Sequence, residues 1–168
     1  MNNDPTLPAS RPSNASLVGT VKESHLINYA ILAVPLSPLK KEISKAEKDW
    51  QETCRLSQQK NNRMYVRAAR FLQLVEKNFR EHRQVCYYAG RINVSKDYLR
   101  EICRKAIHCS PKRCIEMQIV LEGLHLLCSP MLDVGEISFR LGYKDTSQFI
   151  RIFKAHTGWT PGALRLAE

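Results

Sequence analysis

Apolar side chains recur at helical spacing through the C-terminal two thirds of this 168-residue chain. Ala68, Leu72, Val75 and Phe79 follow one another at intervals of three or four residues. This spacing places them on one face of a helix, so we predict an amphipathic helix over residues 65–81. After residue 60 no segment is rich in strand-forming residues and bounded by turn signals, and we therefore predict that this part is all-α.

A long second helix is predicted from about residue 111 to residue 128. Proline suits the first turn of a helix, where Pro111 stands, and Pro130 follows soon after the predicted end. One stripe of this helix carries Met117, Leu121, Leu124 and Cys128, while its other faces carry Ile115, Ile119 and Leu126. A helix that is apolar on more than one face is buried on more than one side, so we expect this one to lie between two lobes.

The segments on either side of this helix repeat each other at an interval of about 50 residues. The matching groups are Val85–Arg91–Ile92–Asn93 with Val134–Arg140–Leu141–Gly142, Leu99–Ile102–Cys103 with Phe149–Ile152–Phe153, and Ser110–Pro111 with Thr160–Pro161. Asn93 and Gly142 suit the left-handed end of a short helix, and Ser95 and Asp145 are placed to cap a second one. The repeat predicts two helix-turn-helix units, over about residues 84–108 and 133–157.

The second helix of each unit has an apolar inner face and a polar outer face. In the first unit, over about residues 96–107, Leu99, Ile102, Cys103 and Ala106 point inward, and Lys96, Asp97, Arg100, Glu101, Arg104 and Lys105 point outward. In the second unit, over about residues 146–156, Phe149, Ile152 and Phe153 point inward, and Thr146, Ser147, Gln148, Ile150, Arg151 and Lys154 point outward. One such helix fits an ordinary bundle, whereas two in register favour a pair of reading units.

The first third of the chain has a weaker pattern. Residues 1–20 are polar and rich in Pro, Ser and Asn, and we expect them to be disordered. Residues 25–36 fit either a strand or a short apolar helix, and residues 39–59 fit a linker helix or a flexible linker. We therefore divide the chain into a partly disordered N-terminal arm and linker, residues 1–62, and a helical domain, residues 63–168.

The charge of the chain favours a polyanionic partner. It carries 26 Lys and Arg against 16 Asp and Glu, a net charge of +10 with an isoelectric point near 9.5. Residues 1–60 contribute only 8 basic and 6 acidic side chains, so most of the excess lies in the helical domain. Nucleic acid is the favoured partner and a membrane surface is not, although such an excess also fits a solvated basic face.

The remaining chemistry favours a binding protein over an enzyme. No Ser/His/Asp set, phosphate-binding glycine loop or carboxylate pair is recognisable, and no cofactor is expected. The six cysteines contain no C-x-x-C pair, so we expect small buried apolar residues; a zinc site from Cys103, His108, Cys109 and Cys114 matches no structural zinc spacing. The N-terminus does not resemble a secretory signal, and the longest apolar run is too short to span a bilayer, so a cytoplasmic location at the bacterial nucleoid is expected.

A known family shares many residues of the second unit, in the same order. They are Ile137, Leu141–Gly142–Tyr143, Phe149, Arg151, Phe153–Lys154, Gly158, Thr160–Pro161 and Arg165. They resemble the signature of the AraC/XylS family of bacterial transcription regulators. Looser matches in the first unit are Tyr88–Ala89, Val94–Ser95, Tyr98–Leu99 and Ser110–Pro111, and in the connecting helix Leu121–Glu122 and Leu126–Leu127. The resemblance covers roughly residues 65–165 and implies a double helix-turn-helix DNA-binding domain.

Some positions depart from the family pattern. His108–Cys109 stand where members usually carry Thr-Gly, Ser138 replaces a usual Ala, and Gln118 stands at a common basic position. Gly123 replaces a helix-interior Ala, which costs about 0.5–1 kcal/mol. Members typically add an N-terminal effector-binding or dimerisation domain, for which residues 1–60 are too short. We therefore expect a shortened regulator, part of a longer protein, or a regulator whose sensing lies elsewhere.

The expected function is sequence-specific binding of double-stranded DNA, with each second helix in a major groove. An 18-residue connecting helix is about 27 Å long, which suits reading helices placed in successive grooves about 34 Å apart. For base contacts we predict Asp97, Arg100 and Glu101 in the first unit and Thr146, Ser147, Gln148, Ile150 and Arg151 in the second. For phosphate contacts we predict Arg91, Lys96, Arg104, Arg140, Lys144 and Lys154.

Tyr143, Phe153 and Trp159 are expected to pack in the core or the turns rather than stack on bases. RNA polymerase is a second candidate partner, while the effector and the oligomeric state are not specified. The alternative function is a protein-interaction module of the same fold that has lost useful DNA affinity.

Overall fold

A computed structural model describes residues 37–58 and 62–167 of the chain. The predictions for residues 1–20 and 25–36 lie outside these described residues. The described part consists of helices joined by turns and contains no strand, which confirms the all-α class. The helices are α1 (Pro38–Gln58), α2 (Arg63–Asn78), α3 (Val85–Arg91), α4 (Lys96–Ala106), α5 (Pro111–Leu127), α6 (Val134–Arg140), α7 (Thr146–Thr157) and α8 (Pro161–Leu166).

The connecting helix α5 lies at the centre of the described fold. It contacts α4 of the first unit, α6 and α7 of the second, and the flanking helices α1, α2 and α8. Ten of its 17 residues are buried, on several faces, which confirms the expectation of burial between two lobes. Pro111 occupies the first turn as predicted, where its missing N–H costs no hydrogen bond.

In the first unit, α3 and α4 pack against α2. Leu99, Ile102, Cys103 and Ala106 of α4 are all buried, as their spacing predicted. Ser95 caps α4 by accepting a hydrogen bond from the backbone N–H of Tyr98 at 3.1 Å. The preceding turn passes through the left-handed region at Asn93, where φ is 54°. Both the predicted cap and the predicted left-handed turn are confirmed. Helix α2, which comes before α3, ends at Asn78 and not at the predicted residue 81, because Phe79 is its C-cap.

The second unit repeats this plan with different local chemistry. Asp145 caps α7 as predicted, accepting from the backbone N–H of Ser147 at 2.9 Å. A capping box that the sequence reading missed begins α6, where Asp133 and Glu136 each accept a hydrogen bond from the other's backbone N–H. The predicted left-handed position at Gly142 is confirmed by a φ of 80°. Phe149 and Phe153 are buried and Ile152 is half-buried.

Helix α1 is an integral part of the helical unit. It packs against α2, α5 and α8, and it buries Leu39 and Trp50. Glu47 of α1 lies 3.1 Å from the Nε2 of His125 on α5. Of the two alternatives for residues 39–59, the structure shows the helix as far as Gln58, and this helix adds apolar contacts to the core.

Gly123 has a packing role that explains its departure from the family pattern. A Cβ at this position would lie 3.0 Å from the ring of Phe149, closer than ordinary van der Waals contact. The glycine in α5 therefore makes room for an aromatic ring from α7. The propensity cost expected for a glycine inside a helix is offset by the close packing of that ring.

The cysteines follow the prediction only in part. Cys103 and Cys114 are buried, whereas Cys54, Cys109 and Cys128 are half-buried. Cys86 is exposed, so the prediction of a buried apolar role is wrong for this residue. Cys86 lies in the first turn of α3, where the buried residues of this short helix are Tyr88 and Ala89.

Candidate nucleic-acid interface

A cationic groove of about 730 Å³ runs along the first reading helix, α4. Lys96, Arg100 and Arg104 line it, because residues four apart on a helix lie above one another on one face. Its other walls are the start of α3, at residues 84–86, and the start of α5, at residues 110–112. The groove therefore combines three of the predicted contact residues on one surface.

Three further basic side chains line the same groove and were missed by the sequence reading. Arg83 precedes α3, Lys112 is the second residue of α5, and His108 lies in the turn between α4 and α5. His108 has a φ of 51° and stands 50 residues before Gly158, which has a φ of 82°. The repeat interval was a signal for the left-handed backbone of His108, because this residue is equivalent to Gly158. No local pattern placed His108, Arg83 or Lys112 in the groove.

Two acidic side chains on α4 are paired with basic side chains of the same helix. Asp97 Oδ1 lies 2.6 Å from Arg100 Nη1, and Glu101 Oε1 lies 2.5 Å from Lys105 Nζ. The hydrogen bond from Lys105 holds the pKa of Glu101 below its usual value. Four of the exposed charges on α4 are therefore engaged with each other.

The second reading helix, α7, exposes a surface with no acidic residue along residues 146–157. Ser147, Ile150, Arg151 and Lys154 border an open concavity of about 750 Å³. Ser147, Gln148, Arg151 and Lys154 are exposed, while Thr146 and Ile150 are half-buried. Of the five residues predicted to read bases here, three are thus fully accessible.

The remaining predicted phosphate contacts lie near the turns. Arg91 and Arg140 are the last residues of α3 and α6, at equivalent places in the two units, and both are exposed. Lys144 is exposed in the turn before α7. The structure places these three side chains at the surface but not in the groove or the concavity.

The three aromatic side chains that were expected to pack behave differently from one another. Tyr143 and Phe153 are buried, in agreement with that expectation. Trp159 lies in the turn between α7 and α8 and is 44% exposed, so it is not a core residue. It follows the left-handed Gly158.

The thiols beside the cationic groove influence one another. Burial raises the pKa of Cys103 to about 12, and the nearby Cys109 adds to this shift. Hydrogen bonding from the Cys114 thiol lowers the pKa of Cys109. Across residues 37–58 and 62–167, no group of three or more His, Cys, Asp and Glu side chains is arranged to hold a metal ion. In the same residues, no helix has the length and apolar character needed to cross a membrane.

Comparison with known proteins gives a family match and matches to two curated relatives. A family model described as a helix-turn-helix domain matches residues 88–167. The Msm operon regulatory protein of Streptococcus mutans serotype c is 34% identical over 77 residues, 46% of this chain and 28% of that protein. The lactose operon transcription activator of Staphylococcus xylosus is 27% identical over 82 residues, 49% of this chain and 29% of that protein. The matched region therefore spans under a third of the length of these relatives.

A solved structure shares the fold. The crystal structure of a DNA-binding transcriptional dual regulator from Escherichia coli K-12 matches with a TM-score of 0.52, over 58% of this chain and 87% of that one. Its sequence identity is 18%, so this likeness concerns the fold alone.

Proposed function

Because residues 88–167 belong to the AraC/XylS-type helix-turn-helix family, we propose that this chain binds double-stranded DNA as a sequence-specific transcription regulator. The observation that carries the proposal is the pair of helix-turn-helix units around α5, each with an exposed polar face on its second helix. The proposal includes a cytoplasmic location at the nucleoid and RNA polymerase as a second partner.

The mechanism follows from the dimensions of the connecting helix. With 17 residues, α5 is about 26 Å long. A span of this size suits two reading helices in successive major grooves on one face of DNA, about 34 Å apart. A rigid spacing of the reading helices that misses one helical turn would require the DNA to bend. One chain would then read a site that need not be palindromic.

Specificity is assigned to the exposed faces of the two reading helices. Arg100 and Arg151 suit the O6 and N7 acceptors of guanine, Gln148 suits adenine, and Ile150 suits a thymine methyl group. Asp97 and Glu101 suit the N4 donor of cytosine. Thr146 and Ser147 complete the second unit as hydrogen-bonding groups for either kind of base.

Affinity is assigned to the phosphate contacts. Lys96 and Arg104 lie in the cationic groove, where Lys112 adds a further positive charge. Arg91, Arg140, Lys144 and Lys154 are the other phosphate contacts of this proposal. Such contacts release counterions, so binding should weaken steeply as the salt concentration rises.

Two experiments test the proposal. Selection from random duplex DNA, followed by fluorescence anisotropy at two salt concentrations, should give a defined site with salt-dependent affinity. Arg151→Ala should then reduce the preference for the selected site, while Lys154→Ala should weaken all DNA similarly and reduce the salt slope by about 1. These two residues are a matched pair, since both are exposed on α7. An Arg151→Ala variant with unchanged site preference would refute the assignment of Arg151.

The second candidate function is a protein-interaction module with the same fold. The observation that favours it is the pairing of Asp97 with Arg100 and of Glu101 with Lys105, which neutralises much of α4. This function predicts no salt-dependent binding to any selected duplex, so the same anisotropy titration distinguishes the two.

A further inference from the structure

The loop before α3 in the first unit contacts the turn of the second unit directly. This loop spans residues 79–84, and the turn between α6 and α7 spans residues 141–145. We call this contact the latch and define it by Arg80, Arg83, Leu141, Gly142 and Tyr143. The two units are thus joined by more than the connecting helix α5.

Arg83 is the central side chain of the latch. Its Nη2 donates a hydrogen bond to the backbone carbonyl of Leu141 at 2.9 Å. Its Cζ lies 3.7 Å from the centre of the Tyr143 ring, and that tyrosine is only 4% exposed. A charge-assisted hydrogen bond and a cation–π contact on a buried ring both restrict the guanidinium to one position. The side chain thereby links residues 58 positions apart.

The backbones of the two units also meet at Gly142. A Cβ at this glycine would lie 2.2 Å from the carbonyl oxygen of Arg80, a distance that no side chain can occupy. Gly158 has nearly the same φ, but a Cβ there would have no atom within 4 Å. The absence of a side chain at Gly142 therefore serves the contact between the units in addition to the turn.

The loop at residues 79–84 also contacts the connecting helix α5. Arg80 forms an ion pair with Glu122 of α5, across 42 residues of sequence. The loop of the first unit is thus attached both to the turn of the second unit and to the helix that connects them. An arrangement with this many attachments fixes the orientation of one unit relative to the other.

We propose that Arg83 is a positioning residue that sets the distance between the reading helices α4 and α7, and so selects the spacing of the two half-sites in DNA. This inference rests on the proposed DNA-binding function. A preorganised pair of units loses affinity when the half-sites are moved apart or together, because either the latch or the DNA must deform. Units joined by α5 and α1 without the latch would tolerate a change of spacing better.

The test compares DNA duplexes in which the selected half-sites are kept and their separation is changed by one base pair. Wild-type protein should prefer the original spacing, and Arg83→Ala should reduce that preference by about fivefold, as expected for coupled contacts. Arg83→Lys should do the same, because lysine keeps the charge but loses the planar fork that bonds Leu141 and stacks on Tyr143. An unchanged preference in both variants would overturn the proposal.

Lys112→Ala is the matched control, since Lys112 lines the same cationic groove and has no latch contact. It should lower affinity for every spacing by the same factor. If Arg83→Ala gave this uniform loss too, Arg83 would be a phosphate contact and the positioning role would be refuted.

A second measurement needs no DNA. Residual dipolar couplings from the two units should fit one alignment tensor in the wild-type protein and two different tensors in Arg83→Ala and Arg83→Lys. A single tensor in both variants would contradict the latch. If the wild-type protein bound no DNA, the proposed function would fail, while these couplings would still decide whether the latch orients the units.

Discussion

The two helix-turn-helix units share several buried positions but expose different charges. Leu99 and Phe149 are equivalent in the repeat and both fully buried, so the core plan is shared. On the surface, α4 pairs two carboxylates with basic neighbours, whereas α7 exposes Arg151 and Lys154 with no acidic residue along the helix. Packing constrains the inner face of each reading helix, while the outer face can diverge without loss of fold.

The two units also differ in the residues that form their left-handed turns. The first unit places Asn93 and His108 in left-handed conformations, where the second unit uses Gly142 and Gly158. The backbone requirement is therefore the same in both units, but the first unit meets it with residues that carry side chains. For most residues other than glycine this conformation costs roughly 1–2 kcal/mol, while Asn adopts it more readily, so the cost falls mainly on His108. The second unit obtains the same turns without that cost.

The largest expected effect is a difference in stability between alanine variants of two left-handed glycines, Gly142 and Gly158. Gly142→Ala should lower the free energy of unfolding by about 3 kcal/mol or more, since it adds a backbone collision to the left-handed strain. Gly158→Ala, which meets open space, should cost only about 1 kcal/mol. Urea denaturation of both variants measures the difference. Equal losses would mean that the close approach at Gly142 relaxes freely.

The second prediction compares the arginines of the two reading helices. Arg151→Ala should reduce discrimination between the selected site and a site mismatched at one base by about 1–3 kcal/mol. Arg100→Ala should have a smaller effect, because Arg100 is engaged with Asp97 in the free protein. Anisotropy titrations with matched and mismatched duplexes give both values. A larger effect at Arg100 would reverse the ranking of the two units.

The third prediction concerns variants that remove the acidic side chains of α4, and with them the difference in charge between α4 and α7. The double variant Asp97→Asn with Glu101→Gln should bind unselected duplex DNA more tightly and steepen the salt slope by about 1–2, since it removes two negative charges beside Arg100 and Lys105. It should also lose preference for the selected site, because both acids are assigned to cytosine. The variant Glu52→Gln, which breaks a similar ion pair with Arg55 on α1, is the control. A double variant that kept its site preference would refute this assignment of the two acids.

The smallest expected effect concerns the turn between α4 and α5. His108→Gly should raise the free energy of unfolding by about 0.5–1 kcal/mol, because relief of left-handed strain exceeds the added entropy of the unfolded chain. Thermal unfolding followed by circular dichroism measures it. The reverse change, Gly158→His, should destabilise by a similar amount, and a stabilising result there would contradict the comparison of the two turns.

The local features of this protein follow from its sequence alone. Helical periodicity placed α2, α4, α5 and α7, and the caps Ser95 and Asp145 and the left-handed positions Asn93 and Gly142 were all predicted correctly. These features depend on interactions between residues a few positions apart, which leave a periodic or positional signal. The predicted DNA contacts stay predictions, although most of those side chains are exposed.

Other features depend on residues distant in the chain, and only the tertiary structure decided them. The packing of α1, the ring of Phe149 against Gly123, the place of Arg83 in the cationic groove and its contact with Tyr143 carry no local pattern. Each arises where two surfaces fit together, and such a fit depends on shape and on the orientation of whole helices. The sequence determined the two units, whereas the tertiary structure decided how they are held relative to each other.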